Sequence, residues 1–454
     1  MGRKLHYSTE DDSNEIVKRY EAFLSDNSVS GYFDVEEMES IVDFYLRKGR
    51  TRDSSKALDF GFRLHPNSSA LMIKRAKIYL ATGDINKAYN ILESHSEQSD
   101  YDVILLKIDA LIRLQRDNEA FVLCDDLINS SNSDIDDVCL DIAYIFLFQS
   151  DFISAKKYLL KGEEYNPLND ELLFELAFSF ERTEEVEKAI ATYNKLIKLD
   201  PFTSEAWFNL GQIYYSQNNY QLALEAFEYA SAIRPEDSLT CLQKGHTHYQ
   251  LQQYNEALSE YFAFNEMISD SKHTLYFIGE CYEQMENYPE ALKYYLDALK
   301  DNPDSFDTLT GIAICLMELD LYAESLPFLN RAAELQEEEP EVWIYIGEVL
   351  TELDDIDGAL DSYLKAIKLN YNQPDILMAI ANIYMDKKQF LDAVVYYKNA
   401  LKYDIHKELE NIHLLLSVAY HFTGDIELSY KHLQIAAENN LDAYKLFEEL
   451  CSTL

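Results

Sequence analysis

The chain has 454 residues, 47% of them hydrophobic and 13% aromatic, too apolar for disorder and ample for a large core. Only 13 Gly and 9 Pro occur, too few for the many tight turns of a β-sandwich, so helix is favoured. A formal charge of −42, from 81 acidic and 39 basic residues, opposes nucleic acid and anionic membrane and favours a cationic partner.

No apolar run reaches the ~18 residues that a membrane helix needs. The stretch Met1, Gly2, Arg3, Lys4, Leu5, His6 lacks an apolar signal core. Six cysteines (Cys124, Cys139, Cys241, Cys281, Cys315 and Cys451) form no C-x-x-C pair and read as reduced, mostly buried thiols. The expectation is a cytoplasmic protein.

In chain order, residues 1–34 are expected to form an N-terminal segment and a capping helix. Its Ile16, Val17, Tyr20, Phe23 and Leu24 share one face. Residues 35–135 read as three degenerate repeats. The first, near Val35, is expected to have a shortened second helix, Ala57 to Pro66. The second carries Ala76, Tyr79, Gly83 and Ala88; the third, near Asp102, has Ala110, Ala120 and a shortened turn. Residues 136–407 hold eight repeats in one 34-residue register, beginning at Asp136, Asp170, Ser204, Ser238, Lys272, Phe306, Pro340 and Pro374. Residues 408–454 read as a final repeat from about Glu410, then a capping helix over Leu441 to Leu450.

The clearest repeat carries Trp207, Leu210, Gly211, Tyr214, Ala223, Phe227, Ala230 and Pro235. Repeat positions 4, 7, 8 and 11 fall on one stripe of a first helix, and positions 20, 24 and 27 on a matching stripe of a second. Small residues at 8 and 20 let the two helices approach closely. Pro289 suits the first turn of a second helix. Pro327, at position 22, is expected to bend or delay its helix and to mark a joint in the array.

These classes at this spacing resemble the tetratricopeptide repeat, in about twelve tandem copies. The resemblance implies an all-α, right-handed alpha-alpha superhelix of antiparallel helix pairs, with the first helices lining a concave face. It also implies that the dicarboxylate clamp of chaperone-binding relatives is absent, since position 5 carries Leu140, Phe174, Phe208, Leu242, Tyr276, Thr310, Ile344 and Met378 rather than Lys or Asn.

No catalytic, cofactor or metal signature is present: there is no H-E-x-x-H, G-x-x-x-x-G-K, G-x-S-x-G or G-x-G-x-x-G. Cys241 and His248 sit on the packing stripe, and His246 points to another face. First-helix positions 2, 5, 6, 9, 12 and 13 point away from the stripe. Over the eight regular repeats they are crowded with acids and aromatics, and Arg182 is the single Lys or Arg. The candidate binding residues are Glu171, Phe174, Glu175, Phe178, Glu205, Phe208, Gln212, Tyr215, Tyr249, Tyr276, Glu280, Glu283, Glu341 and Glu348. Lysines collect on the second helices instead. A second, basic site is expected at Lys74, Lys77, Lys107 and Arg113.

Acid beside aromatic suits Lys or Arg set among apolar residues. The expected function is a non-enzymatic scaffold whose groove holds a basic or amphipathic segment of another protein, with no cofactor and no nucleic acid or membrane partner. The competing readings are a solvated acidic face, a weakly self-associating structural array, and the regulatory subunit of an enzyme complex.

Overall fold

The computed structural model describes residues 10–25, 32–94, 100–131, 133–268, 273–369, 371, 373–403, 411–440 and 442–453. Among these the chain forms twenty-six helices and no strand. Glu10–Ser25 precedes twelve helix–turn–helix stretches, from Val35–Arg47 with Thr51–Leu64 to Ile412–Thr423 with Ile426–Asn439. Ala443–Thr453 follows them. The expected starts at Lys272, Glu410 and Leu441 lie outside the described residues.

The chain divides into two compact bodies, residues 1–218 and 219–454. In each, a second helix packs on its own first helix and on the first helix of the next repeat, giving a solenoid of stacked pairs. Burial therefore accumulates between neighbours.

Local chemistry starts each helix. Asn169, Asp237 and Ser305 stand just before first helices, and their side chains accept the N–H of Leu172, Thr240 and Thr308. Each such cap satisfies a donor that the helix leaves free. Pro289 occupies the first turn of Tyr288–Asp301, where its missing N–H costs nothing.

The helix pairs close on small residues. Ala155, Ala189, Ala223, Ala257, Ala291, Ala359 and Ala393, all at position 20, are fully buried. Position 24 fills the space with a ring or a leucine, including Tyr193, Phe227, Tyr261, Tyr295 and Tyr397. A Cβ on Gly245 would lie 2.5 Å from the Tyr261 ring, and one on Gly279 would lie 2.6 Å from the Tyr295 ring.

Burial is wider than the expected stripe. Position 3 (Val138, Leu172, Ala206, Thr308, Val342) and position 10 (Ile213, Thr247, Cys281, Cys315, Val349) are also buried. A first helix is enclosed by the helices around it, so its apolar arc exceeds the one that a single helix pair requires.

The turn within each repeat holds one left-handed residue. It is Gly49, Gly83 and Gly424 in three repeats, but Gln115, Ser150, Glu184, Asn218, Gln252, Glu286, Asp320, Asp354 and Lys388 in the others. This marker corrects the early register. The first repeat's second helix runs from Thr51 to Leu64 and is not shortened; its opening turn is polar, so the apolar pattern starts late. In the third repeat, Tyr101–Arg113 and Asp117–Ser130 are joined by a turn of the usual length. Ile108 stands seven residues before the left-handed Gln115, as Ala143 stands before Ser150, so Ile108 and not Ala110 faces the second helix there. Pro327 delays nothing: Tyr322–Leu335 runs across it and begins at position 17, as its counterparts do.

Two stability predictions follow from this packing. Gly279→Ala drives a methyl into a fully buried ring and should lower stability by ~1–3 kcal/mol in urea denaturation. At the exposed turn residue Gln252, held at φ 59°, Gln252→Gly should stabilise by ~0.5–1 kcal/mol because glycine carries no left-handed penalty. Gln252→Val should destabilise instead, since a β-branched residue is an outlier there.

Candidate functional site

The tyrosines of position 24 cross the core, and their hydroxyls reach the first-helix side. The Tyr193 hydroxyl lies 3.0 Å from Asn209 Nδ2, Tyr261 2.8 Å from His246 Nδ1, and Tyr295 2.7 Å from Glu283 Oε2. Polar groups on that side are thus tied to the packing that holds the pairs together. His248 takes a different partner, Gln253 Oε1 at 2.7 Å.

In the first body, Tyr144 donates to Glu171 Oε1 at 2.8 Å. Burial raises the Glu175 carboxyl; the hydrogen bond from Tyr144 opposes that rise and the charge of Glu171 adds to it. Phe174 is half-buried, edge-on to Tyr193 with ring centroids 6.1 Å apart. Phe178 packs edge-on against Phe152 at 5.9 Å. Tyr193 thereby touches both Phe174 and Asn209, linking the helices Asp170–Arg182 and Ser204–Ser216. On the latter helix Glu205 and Gln212 are exposed, while Phe208 and Tyr215 are half-buried.

In the second body, Tyr249, Tyr276, Glu280 and Glu283 come together around a recess of about 170 Å³. Tyr295, Phe306, Asp307 and Gly311 complete much of its wall. Tyr276 donates to Glu280 Oε1 at 2.9 Å. Burial pushes the Glu280 carboxyl up to about 7; the Tyr276 hydrogen bond opposes this, and Glu283 and Asp307 add to it. Glu283 is raised as well, by burial first, against the Tyr295 hydrogen bond. Glu348 is exposed and lines a separate hollow of about 370 Å³ with Glu318, Glu352, Tyr322 and Tyr363. Glu341 is exposed in the first turn of Pro340–Glu352, outside both cavities.

The expected basic site is not a free cationic patch. Lys74 pairs with Asp43 at 2.6 Å, Lys107 with Glu93 at 2.5 Å, and Arg113 with Asp109 at 2.7 Å. Lys77 alone among the four is exposed. Asp43 and Glu93 come from neighbouring helices, and Asp109 stands one turn before Arg113 on the same helix.

Several lysines of the second helices likewise have partners: Lys195 with Glu163 at 2.6 Å, Lys161 with Asp125 at 3.4 Å, and Lys156 with Glu185. By contrast, Glu171, Glu175, Glu280, Glu283, Glu341 and Glu348 form no ion pair among the described residues. No group of three His, Cys, Asp or Glu side chains able to hold a metal occurs among the described residues. No helix among them is long and apolar enough to cross a membrane. Sequence reasoning missed Tyr295, which it assigned to the core, and Gly311, whose lack of a side chain left no signal.

Tetratricopeptide repeat models match residues 140–203, 179–238, 242–305, 282–344, 340–373 and 374–404. The chain belongs to the tetratricopeptide repeat family. The APC/C hetero-tetramer Cut9–Hcn1 is similar to this family member at 16% identity, covering 90% of this chain and 93% of that one, with a TM-score of 0.40. A tetratricopeptide repeat protein from Parabacteroides merdae is similar at 18% identity, covering 55% and 98%, with a TM-score of 0.41. The C-terminal part of a repeat-containing protein from Cytophaga hutchinsonii is similar at 18% identity, covering 52% and 96%, with a TM-score of 0.45. No curated protein matches the sequence.

Glu280 makes stability depend on pH with a definite sign. Folded, it keeps its proton to about pH 7, against about 4.5 for an ordinary glutamate. The folded state therefore binds more protons between those values, and stability falls as pH rises through that window. Glu280→Gln keeps an acceptor for Tyr276 and removes the charge. It should stabilise by ~2 kcal/mol at pH 8, a figure discounted for partial exposure. Denaturation at pH 4 should find little difference from the parent.

Proposed function

We infer that this tetratricopeptide repeat protein is a non-enzymatic scaffold whose first-helix faces hold a basic or amphipathic segment of another protein. The observation that carries the reading is the separation of charges. Lys156, Lys161 and Lys195 of the second helices are paired within the fold, while Glu171, Glu175, Glu280, Glu283, Glu341 and Glu348 have no cationic partner among the described residues. An unpaired carboxylate in a partly buried position is costly, and an incoming lysine or arginine offsets that cost. Half-buried rings beside the acids, such as Phe174 and Tyr276, supply apolar contact and faces that attract cations. Pairing of Lys74, Lys107 and Arg113 with acids of the same early repeats leaves less cationic surface for head-to-tail self-association.

Charge and aromatic contacts should separate kinetically. Exposed charges set the association rate and its salt dependence, whereas packed aromatics hold the complex. In stopped-flow binding of a Lys/Arg-rich amphipathic peptide, Glu171→Lys with Glu205→Lys should slow association several-fold and flatten its salt response. Phe208→Ala should instead speed dissociation. A charge-reversed protein that binds the peptide as the parent does would leave these acids as a solvated face.

A further inference from the structure

We propose that the recess bounded by Tyr249, Tyr276, Glu280, Glu283 and Tyr295 is a socket for one lysine ammonium group of the bound segment. This rests on the scaffold reading and adds which side chain of the partner is recognised, and where.

The recess exists because the repeat behind it lacks a side chain. Position 6 carries Asp141, Glu175, Asn209, Gln243, Phe277, Tyr345 or Ala379 in the other regular repeats, but Gly311 here. Gly311 lines the space, and a Cβ on it would already lie 2.8 Å from the Tyr295 ring. The walls are aromatic: the Tyr276 and Tyr295 rings stand 5.7 Å apart at 44°, and Tyr249 and Phe306 face the same hollow. Such rings attract a cation through their faces.

The two glutamates and the tyrosines bonded to them present acceptors to the recess. Tyr276 and Tyr295 each direct the hydroxyl proton to a glutamate, which leaves lone pairs on both carboxylates and both hydroxyl oxygens. Some half-buried acids elsewhere have a cation at hand: Glu260 has Lys244 at 2.5 Å, and Asp109 has Arg113 at 2.7 Å. Glu280 and Glu283 have none among the described residues. The titratable groups that interact with them are Tyr249 from the preceding repeat, Tyr276, Cys281, Tyr288 and Tyr295 from their own, Asp307, Cys315 and Glu318 from the next, and Tyr345 from the one after. All are neutral or acidic.

An ammonium group fits this lining better than a guanidinium. Its three donors diverge from one compact centre, and the acceptors come from two helices, Leu275–Gln284 and Tyr288–Asp301. A guanidinium is a flat fork, matched best by one carboxylate in its plane. Burial holds Glu280 at about 7, so an arriving ammonium displaces a proton near neutral pH.

The 454-residue chain is titrated with an N-acetylated, C-amidated amphipathic peptide carrying a single lysine, and with its acetyl-lysine and arginine counterparts. Free cadaverine is a separate arm. Expected results are a tenfold or greater loss on acetylation, a smaller loss with arginine, and the same tenfold loss for Glu280→Gln with the lysine peptide. Acetylation and Glu280→Gln should be non-additive, since both remove one contact. Parent affinity should weaken as pH falls from 8 to 6, and that dependence should vanish in Glu280→Gln. The variant should melt higher than the parent even as it binds worse, which a misfolded variant cannot do. Glu283→Gln, checked by circular dichroism, provides a second variant.

Equal binding of the lysine peptide by parent and both variants, or of the acetylated peptide by the parent, overturns the socket and leaves the scaffold reading standing. A parent that binds no form of the peptide overturns both. Saturable binding of cadaverine without the peptide reassigns the recess to a free diamine and overturns its assignment to a partner segment.

Discussion

A ring or leucine at position 24 meets its first helix only because positions 8 and 20 carry little or no side chain. Gly279 and Ala291 leave the room that Tyr295 fills, and Gly245 with Ala257 does the same for Tyr261. This close approach sets the spacing within each pair, and the left-handed turn residue sets where the second helix begins. Because each repeat is closed by its own contacts, neighbours can stack without a shared central core. The same tyrosines deliver hydroxyls to the first-helix side, so the packing also arranges the candidate site.

Much of the fold was legible because its determinants are residue types. Alanine at 20 and large apolar groups at 4, 7 and 24 recur visibly, and Pro289 announces a helix start. The turn was less legible because its determinant is a backbone conformation. Gln115, Glu184 and Lys388 adopt left-handed φ without being glycine, so nothing in their identity marks the register. Hence Ala110 misled and Ile108 was overlooked. Pro327 misled for another reason: the helix starts at the turn regardless of a proline five residues later.

The candidate site divided along similar lines. An acidic, aromatic first-helix side was readable from periodicity, since charge and position are both written in the chain. Which residues converge was not: Tyr249, Tyr276, Glu280 and Glu283 share a recess, while Glu341 lies apart. Convergence depends on a side chain that is missing at Gly311 and on a buried tyrosine, Tyr295, whose hydroxyl reaches Glu283 on the first-helix side. The pairing of the basic set was not legible for Lys74 and Lys107, whose acids Asp43 and Glu93 sit on neighbouring helices, whereas Asp109 stands four residues before Arg113 on the same helix.

The central claim is that recognition belongs to the first-helix side. Carbodiimide footprinting of every carboxylate, with and without a saturating basic amphipathic peptide, tests it most directly. The account predicts protection at Glu171, Glu280 and Glu283, and unchanged labelling at the exposed second-helix acids Glu225 and Glu228. Protection at Glu225 and Glu228 with none at Glu171, Glu280 and Glu283 would place the partner on the opposite side and contradict it.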